Sequence, residues 1–132
     1  MSPDARWALD DRLAEAADCI AEAQEHGSLS RYAGVIKQLP ALLRQHGLGQ
    51  TLAYCTMRGG GREASPYHLI YFQIARRLSQ IWPLTDRDLL THLTRTDSRE
   101  YLQMAEEARL FTLALYDVVE DQEYAAYDEE ER

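Results

Sequence analysis

The sequence predicts an all-α fold, a compact bundle of five or six helices, and three observations carry that prediction. Apolar residues recur every three to four positions along nearly all of the 132 residues. No stretch shows the apolar–polar alternation of a strand. Glycine, proline and serine gather between the periodic stretches, where helices have to stop and start.

The elements follow in order. Asp4 to Glu25 places Leu9, Leu13, Ala16, Ala17 and Ile20 on one stripe. His26-Gly27-Ser28 ends that helix, and Ser28 or Ser30 is suited to cap the next. The second stripe is Tyr32, Val35, Ile36, Leu39, Leu42 and Leu43, and it closes at Gly47. A short third helix runs from about Leu48 to Met57. "RGGGREAS" is then a loop, because three successive glycines lose too much backbone entropy to stay helical. Ser65-Pro66 reads as an N-cap with proline in the first helical position, opening a fourth helix through Ile70, Ile74, Leu78 and Ile81. Beyond Trp82-Pro83 comes a brief helix with Thr85 as cap, Asp88 three residues on, and Leu89, Leu90 and Leu93 inside it. The last helix starts near Asp97 or Ser98 and carries Tyr101, Met104, Ala108, Phe111, Leu115 and Val119 to about Glu120. Residues 1–120 are therefore expected to form a single helical domain, and the acidic tail 121–132 to fray.

Three helix breakers fall within ten residues, Pro40, Gly47 and Gly49. Proline inside a helix costs roughly 3 kcal/mol and glycine about 1 kcal/mol relative to alanine, so their placement needs a reason. Pro40 lies off the second stripe by about a quarter turn and is expected to kink the helix without breaking its core. Gly47 suits a left-handed residue closing a helix. Gly49 leaves the start of the next helix free of side chain. Together the three make a compact corner.

The formal charge of −8 is unevenly spread. Asp4 to Glu25 holds seven acids against Arg6 and Arg12, and Asp117 to Glu131 holds eight acids and no base. Between them, His26 to Tyr116 carries eleven bases and seven acids, and ten of those bases are arginine, the side chain best matched to phosphate. Acidic ends thus flank a mildly basic centre that permits contact with RNA. No apolar run reaches the eighteen or so residues of a membrane span, and the N-terminus lacks a basic-then-apolar leader, which points to a cytoplasmic protein. Cys19 and Cys55 are isolated and read as reduced buried thiols.

No catalytic constellation is found. His26, His46, His68 and His92 sit on separate elements and form no metal-ligand spacing, so no metal or cofactor is expected. The glycine loop lacks the preceding strand and following Lys-Ser of a phosphate loop. Asp10-Asp11 and Glu106-Glu107 are adjacent pairs, whose members point in different helical directions, and they read as solvated surface.

At the corner, however, the chain resembles a known family. "YAGVIKQLP" (Tyr32 to Pro40) followed by "LRQHGLGQTLAY" (Leu43 to Tyr54) is similar to the small α-helical subunit of the Cmr complex, the type III-B CRISPR RNA-guided effector. "SREYLQMAEEA" (Ser98 to Ala108) continues the likeness, which covers about Arg31 to Tyr116. The resemblance implies a non-catalytic role in antiviral defence. Several copies stack as an inner filament along guide RNA and target RNA, packed on one another and on the backbone and large subunits. The acidic C-terminus departs from the family, whose last helix is often basic and carries a tryptophan.

The residues suggest where such contacts would lie. Lys37 and Arg44 are seven apart, on one line opposite the core, with Ala33 and Ala41 nearby leaving room for a phosphate backbone. Arg58 and Arg62 bracket the glycine loop, and Arg31 is a lesser candidate. Leu69, Phe72 and Arg76 on the fourth helix, and Leu102, Leu110 and Leu113 on the last, lie off the core stripes and are candidates for subunit interfaces. The alternative from a different class is a protein-only helical adaptor, whose acidic ends bind a basic partner and whose arginines merely solvate it.

Overall fold

A computed structural model describes residues 9–27, 29–62, 65–84 and 88–130. Five helices follow one another, with no strand among the described residues: α1 Leu9–His26, α2 Leu29–Gly59, α3 Pro66–Ile81, α4 Leu89–Thr94 and α5 Ser98–Glu130. The fold is all-α, as the spacing predicts. Ser28 and Thr85, two of the expected caps, lie outside the described residues, and Asp88 takes the N-cap position of α4. Ser65 and Pro66 open α3 as expected. At the start of α5 the Asp97 carboxylate accepts the Glu100 N–H at 2.8 Å, satisfying one of the donors that a helix start leaves open.

The long α2 packs against both α3 and α5, and α1 lies along α5. Pairings fix the directions. Arg12 meets Glu107 and Gln24 meets Gln122, so α1 and α5 run parallel. Tyr32 meets Gln73 while Gly59 abuts His68, so both ends of α2 lie beside the first half of α3 and α2 doubles back on itself at its interior break. The core is built from the anticipated stripes, with Tyr32, Ile36, Leu39, Ile70, Ile74, Leu78 and Phe111 all buried, and Leu52, later in α2, joins them. Burial of one such side chain contributes roughly 1.5–3 kcal/mol. On α1 the inward line runs through Cys19 and Ala23, and Ala17 faces out.

The corner lies at Gly47. Its φ of 81° and ψ of 173° interrupt α2, dividing it into arms 29–46 and 48–59. That backbone region is open essentially to glycine alone. It is not the left-handed helical conformation anticipated from the sequence, whose ψ is far smaller. Pro40 keeps helical φ and ψ, so the change of direction belongs to the glycine. The second arm begins against α5, where the Gly49 N–H donates to the Tyr101 hydroxyl at 2.9 Å. A Cβ at Gly49 would stand 3.3 Å from that oxygen.

Two further readings are corrected. The first concerns α5, which does not end near Glu120 but continues to Glu130. Gln24 donates to the Gln122 side chain at 2.9 Å and Lys37 to Glu123 at 2.7 Å, tying the added turn to α1 and α2. The second concerns the acid pairs. Glu106 is exposed and pairs with Arg109, but Glu107 is fully buried.

Glu107 anchors a charged centre within the apolar core. Its Oε1 accepts from Arg77 Nε at 2.9 Å and Nη2 at 2.6 Å, and its Oε2 accepts from Arg12 Nε at 2.9 Å. Arg77, itself 0% exposed, also donates through Nη1 to Asp11 and Glu15, each at 2.7 Å. Its guanidinium lies 5.8 Å from the Phe111 ring centroid. Burial alone would favour loss of the proton, but the Asp11, Glu15 and Glu107 carboxylates hold the Arg77 pKa above its ordinary value. Two cations and three carboxylates thereby join α1, α3 and α5.

Candidate nucleic-acid interface

The five candidate cations do not form one line. Arg31 from the first turn of α2, Arg58 from its last turn and Arg62 from the glycine loop line a single groove of about 620 Å³. Met57, Ser65, Pro66 and Tyr67 also line it. The fold-back of α2 at Gly47 creates this meeting, because it returns the last turn of α2, with the glycine loop and the start of α3, to the side of its first turn. Two turns hold the loop: the Arg62 N–H donates to the Gly59 carbonyl and the Ser65 N–H to the Arg62 carbonyl, both at 3.0 Å. Gly60 and Gly61 reach this path with φ of 55° and 73°.

Arg58 is oriented by aromatic rings. Its guanidinium carbon lies 5.8 Å from the centroid of Tyr54 and 5.6 Å from that of Tyr67. The two rings meet edge to face at 5.9 Å and 80°. Such cation–π contacts hold a flexible side chain in one plane. Sequence reading named Arg58 but missed Tyr54, Met57 and Tyr67. Tyr54 and Arg58 stand four apart on one helix face, a local signal that was available; Tyr67 becomes a neighbour only through the fold.

Lys37 and Arg44 lie elsewhere. Lys37 is exposed, and its ammonium pairs with Glu123 at 2.7 Å, which raises its pKa. The acidic end of α5 thus occupies one of the two cations preferred for RNA. Arg44 is exposed and forms no ion pair among the described residues. The interface candidates also divide. Phe72 is 56% exposed and Leu102 68%, whereas Leu69, Leu110 and Leu113 are half-buried. Phe72 leans on His68 with ring centroids 4.8 Å apart. Arg76 is exposed and reaches across to α1, bonding Glu22 at 3.0 Å and lying 3.6 Å from Cys19 Sγ.

Nucleophilic chemistry has little support. Burial pushes both thiols up to about 11, against the pull of Arg76 at Cys19, so each stays protonated near neutral pH. His92 is buried, while His26 and His46 are exposed and His68 is half-buried. Among the described residues no group of three or more His, Cys, Asp or Glu is arranged to hold a metal ion, and no helix is long and apolar enough to cross a membrane.

A family model described as CRISPR-associated protein (Cas_Cmr5) matches residues 9–115. No curated protein and no solved structure matches the chain significantly. The matched residues reach further toward the N-terminus than the motifs that carried the resemblance. They take in Arg12, Arg77 and Glu107, and they stop before the acidic end of α5.

Proposed function

The chain belongs to the Cas_Cmr5 family, the small subunit of the Cmr type III-B CRISPR complex, and from that premise we propose that it is a non-catalytic, cytoplasmic subunit that lines the guide RNA–target RNA duplex and packs as several copies in an inner filament. The observation that carries the RNA contact is the convergence of Arg31, Arg58 and Arg62 on one groove in a chain of net charge −8. A cationic cluster inside an acidic protein is positioned for a polyanion, and contacts of this kind hold RNA without reading its bases. Arg44, and Lys37 once released from Glu123, extend that contact along α2. Phe72 and Leu102 supply exposed apolar anchors for the backbone and large subunits and for neighbouring copies.

Purification of a tagged copy from its native cell tests the reading. Guide RNA and the other Cmr subunits are expected to co-purify; recovery of a protein partner without RNA would favour a protein-only adaptor. In the assembled complex, Lys37→Glu with Arg44→Glu is expected to weaken target-RNA retention. Its salt dependence should become shallower by roughly one unit of slope per lost phosphate contact. Unchanged retention and slope would remove both residues from the RNA surface.

The acidic end of α5 then restrains RNA binding by the free subunit, because Glu123 competes with phosphate for Lys37. Glu123→Gln, and separately deletion of residues 121–132, are each expected to raise the affinity of the isolated protein for RNA at low salt. Filter binding at two ionic strengths checks this, and equal affinities before and after deletion would reject the restraint.

A further inference from the structure

The groove is chemically two-sided. Arg31, Arg58 and Arg62 bring positive charge to it, and the first turn of α3, which opens with Ser65 and Pro66 on its wall and carries no acid, adds the positive end of a 16-residue helix. Yet among the described lining residues Met57, Pro66 and Tyr67 add an apolar wall. Met57 is 70% exposed there, beside Pro66 and the ring of Tyr67. A lone phosphate would use the guanidiniums and leave this wall idle. At about 620 Å³ the groove is also far larger than a phosphate needs, and falls within the range of pockets that hold small organic ligands.

Arg58 links the two sides. Tyr54 and Tyr67 hold its guanidinium in place, so it enters the groove already ordered, as a flat cation against which another flat group can stack. Guanidinium planes and aromatic rings are the usual supports for unstacked bases. A paired duplex keeps its bases stacked inside and shows a groove of this kind only sugar and phosphate.

We propose that the groove is a subsite for one unstacked nucleotide of a single RNA strand, with the phosphate between Arg31 and Arg62 and the base against Arg58, Met57 and Tyr67. This rests on the RNA-lining reading for the identity of the polymer, and adds to it a place where a base leaves the stack. It also separates the cations by task. The groove arginines hold a single nucleotide, while Lys37 and Arg44 touch the strand from outside.

The test is titration of the full chain with uridine 5′-monophosphate, inorganic phosphate and octauridylate, followed by amide NMR at Gly60, Gly61 and Tyr67. The monophosphate should bind saturably and at least about tenfold more tightly than phosphate, the increment that base stacking supplies. Octauridylate should bind more tightly still and displace it. Arg58→Gln and Tyr67→Leu, each with an unchanged helical melt, should weaken the monophosphate about tenfold, while Lys37→Glu with Arg44→Glu should leave it unaltered. Equal binding of phosphate and monophosphate would make the groove a simple anion site and overturn the proposal. Indifference to Arg58→Gln would overturn it too. Octauridylate binding no better than the monophosphate would assign the groove to a free nucleotide and reject the strand. If the monophosphate binds but the native complex retains no RNA, the RNA-lining reading fails and the groove stands. If RNA is retained and the monophosphate does not bind, the groove proposal fails alone.

Discussion

Replacing Glu107 by alanine is expected to destabilise the bundle by about 3–5 kcal/mol, the penalty for stripping one partner from a buried ion pair. The size follows from what would remain. Arg77 is fully buried, and two of its donors point at Glu107; Arg12 directs its Nε at the same carboxylate. Without Glu107, Arg77 loses the acceptor of its Nε and Nη2 while Nη1 stays bonded to Asp11 and Glu15, and Arg12 loses a partner that holds it inside. Glu107→Gln should cost less, because the amide retains an acceptor. Urea unfolding followed by helical circular dichroism measures both. A loss below about 1 kcal/mol for the alanine variant would mean that water or a rearranged side chain takes over the role.

Gly47→Ala is expected to cost about 1–3 kcal/mol, the usual strain of a side chain in a glycine-only backbone region. Space is not the obstacle, since a Cβ there would meet only the Tyr101 hydroxyl at 3.8 Å, an ordinary contact. Gly49→Ala fails for the opposite reason. Its backbone is unstrained, but its Cβ would crowd the same hydroxyl at 3.3 Å and disturb the 2.9 Å bond from the Gly49 N–H. Tyr101→Phe separates the two effects. It makes room at Gly49, so the cost of Gly49→Ala should shrink in the phenylalanine background while that of Gly47→Ala stays. Thermal melts of the three single variants, the two double variants and the parent decide this, and equal shrinkage at both glycines would refute the distinction.

The corner was legible because glycine is read through what other residues are denied. A proline and two glycines in a helical stretch announce a change of direction, although not which of them makes it. The helices were legible for a similar reason, since spacing alone determines which side of each is apolar. Glu107 escapes a reading by composition because charge ordinarily marks the surface. Its position gave the correction, three residues after Met104 and four before Phe111, within the inward stripe of α5. Arg77 sits in the same way between Ile74 and Leu78. The groove was harder to foresee. Arg31, Arg58 and Tyr67 come from both ends of α2 and from α3, and only the return of α2 on itself at Gly47 brings them together. The helical run beyond Glu120 escaped because its support is also distant, in Gln24 and Lys37.

The charged centre also has a consequence in time. Arg12 and Glu107 are 95 residues apart, and Arg77 stands between them in the sequence. During synthesis α1, α2 and α3 leave the ribosome while the carboxylate that completes their polar interior is still to be made. The nascent chain therefore has an incomplete shell around two arginines, and dry closure of its centre is delayed until α5 arrives. Contacts so far apart are slow to form and late to reward the chain. Final consolidation thus waits on the C-terminal third, and a chain released before Glu107 is left with an open, water-filled middle.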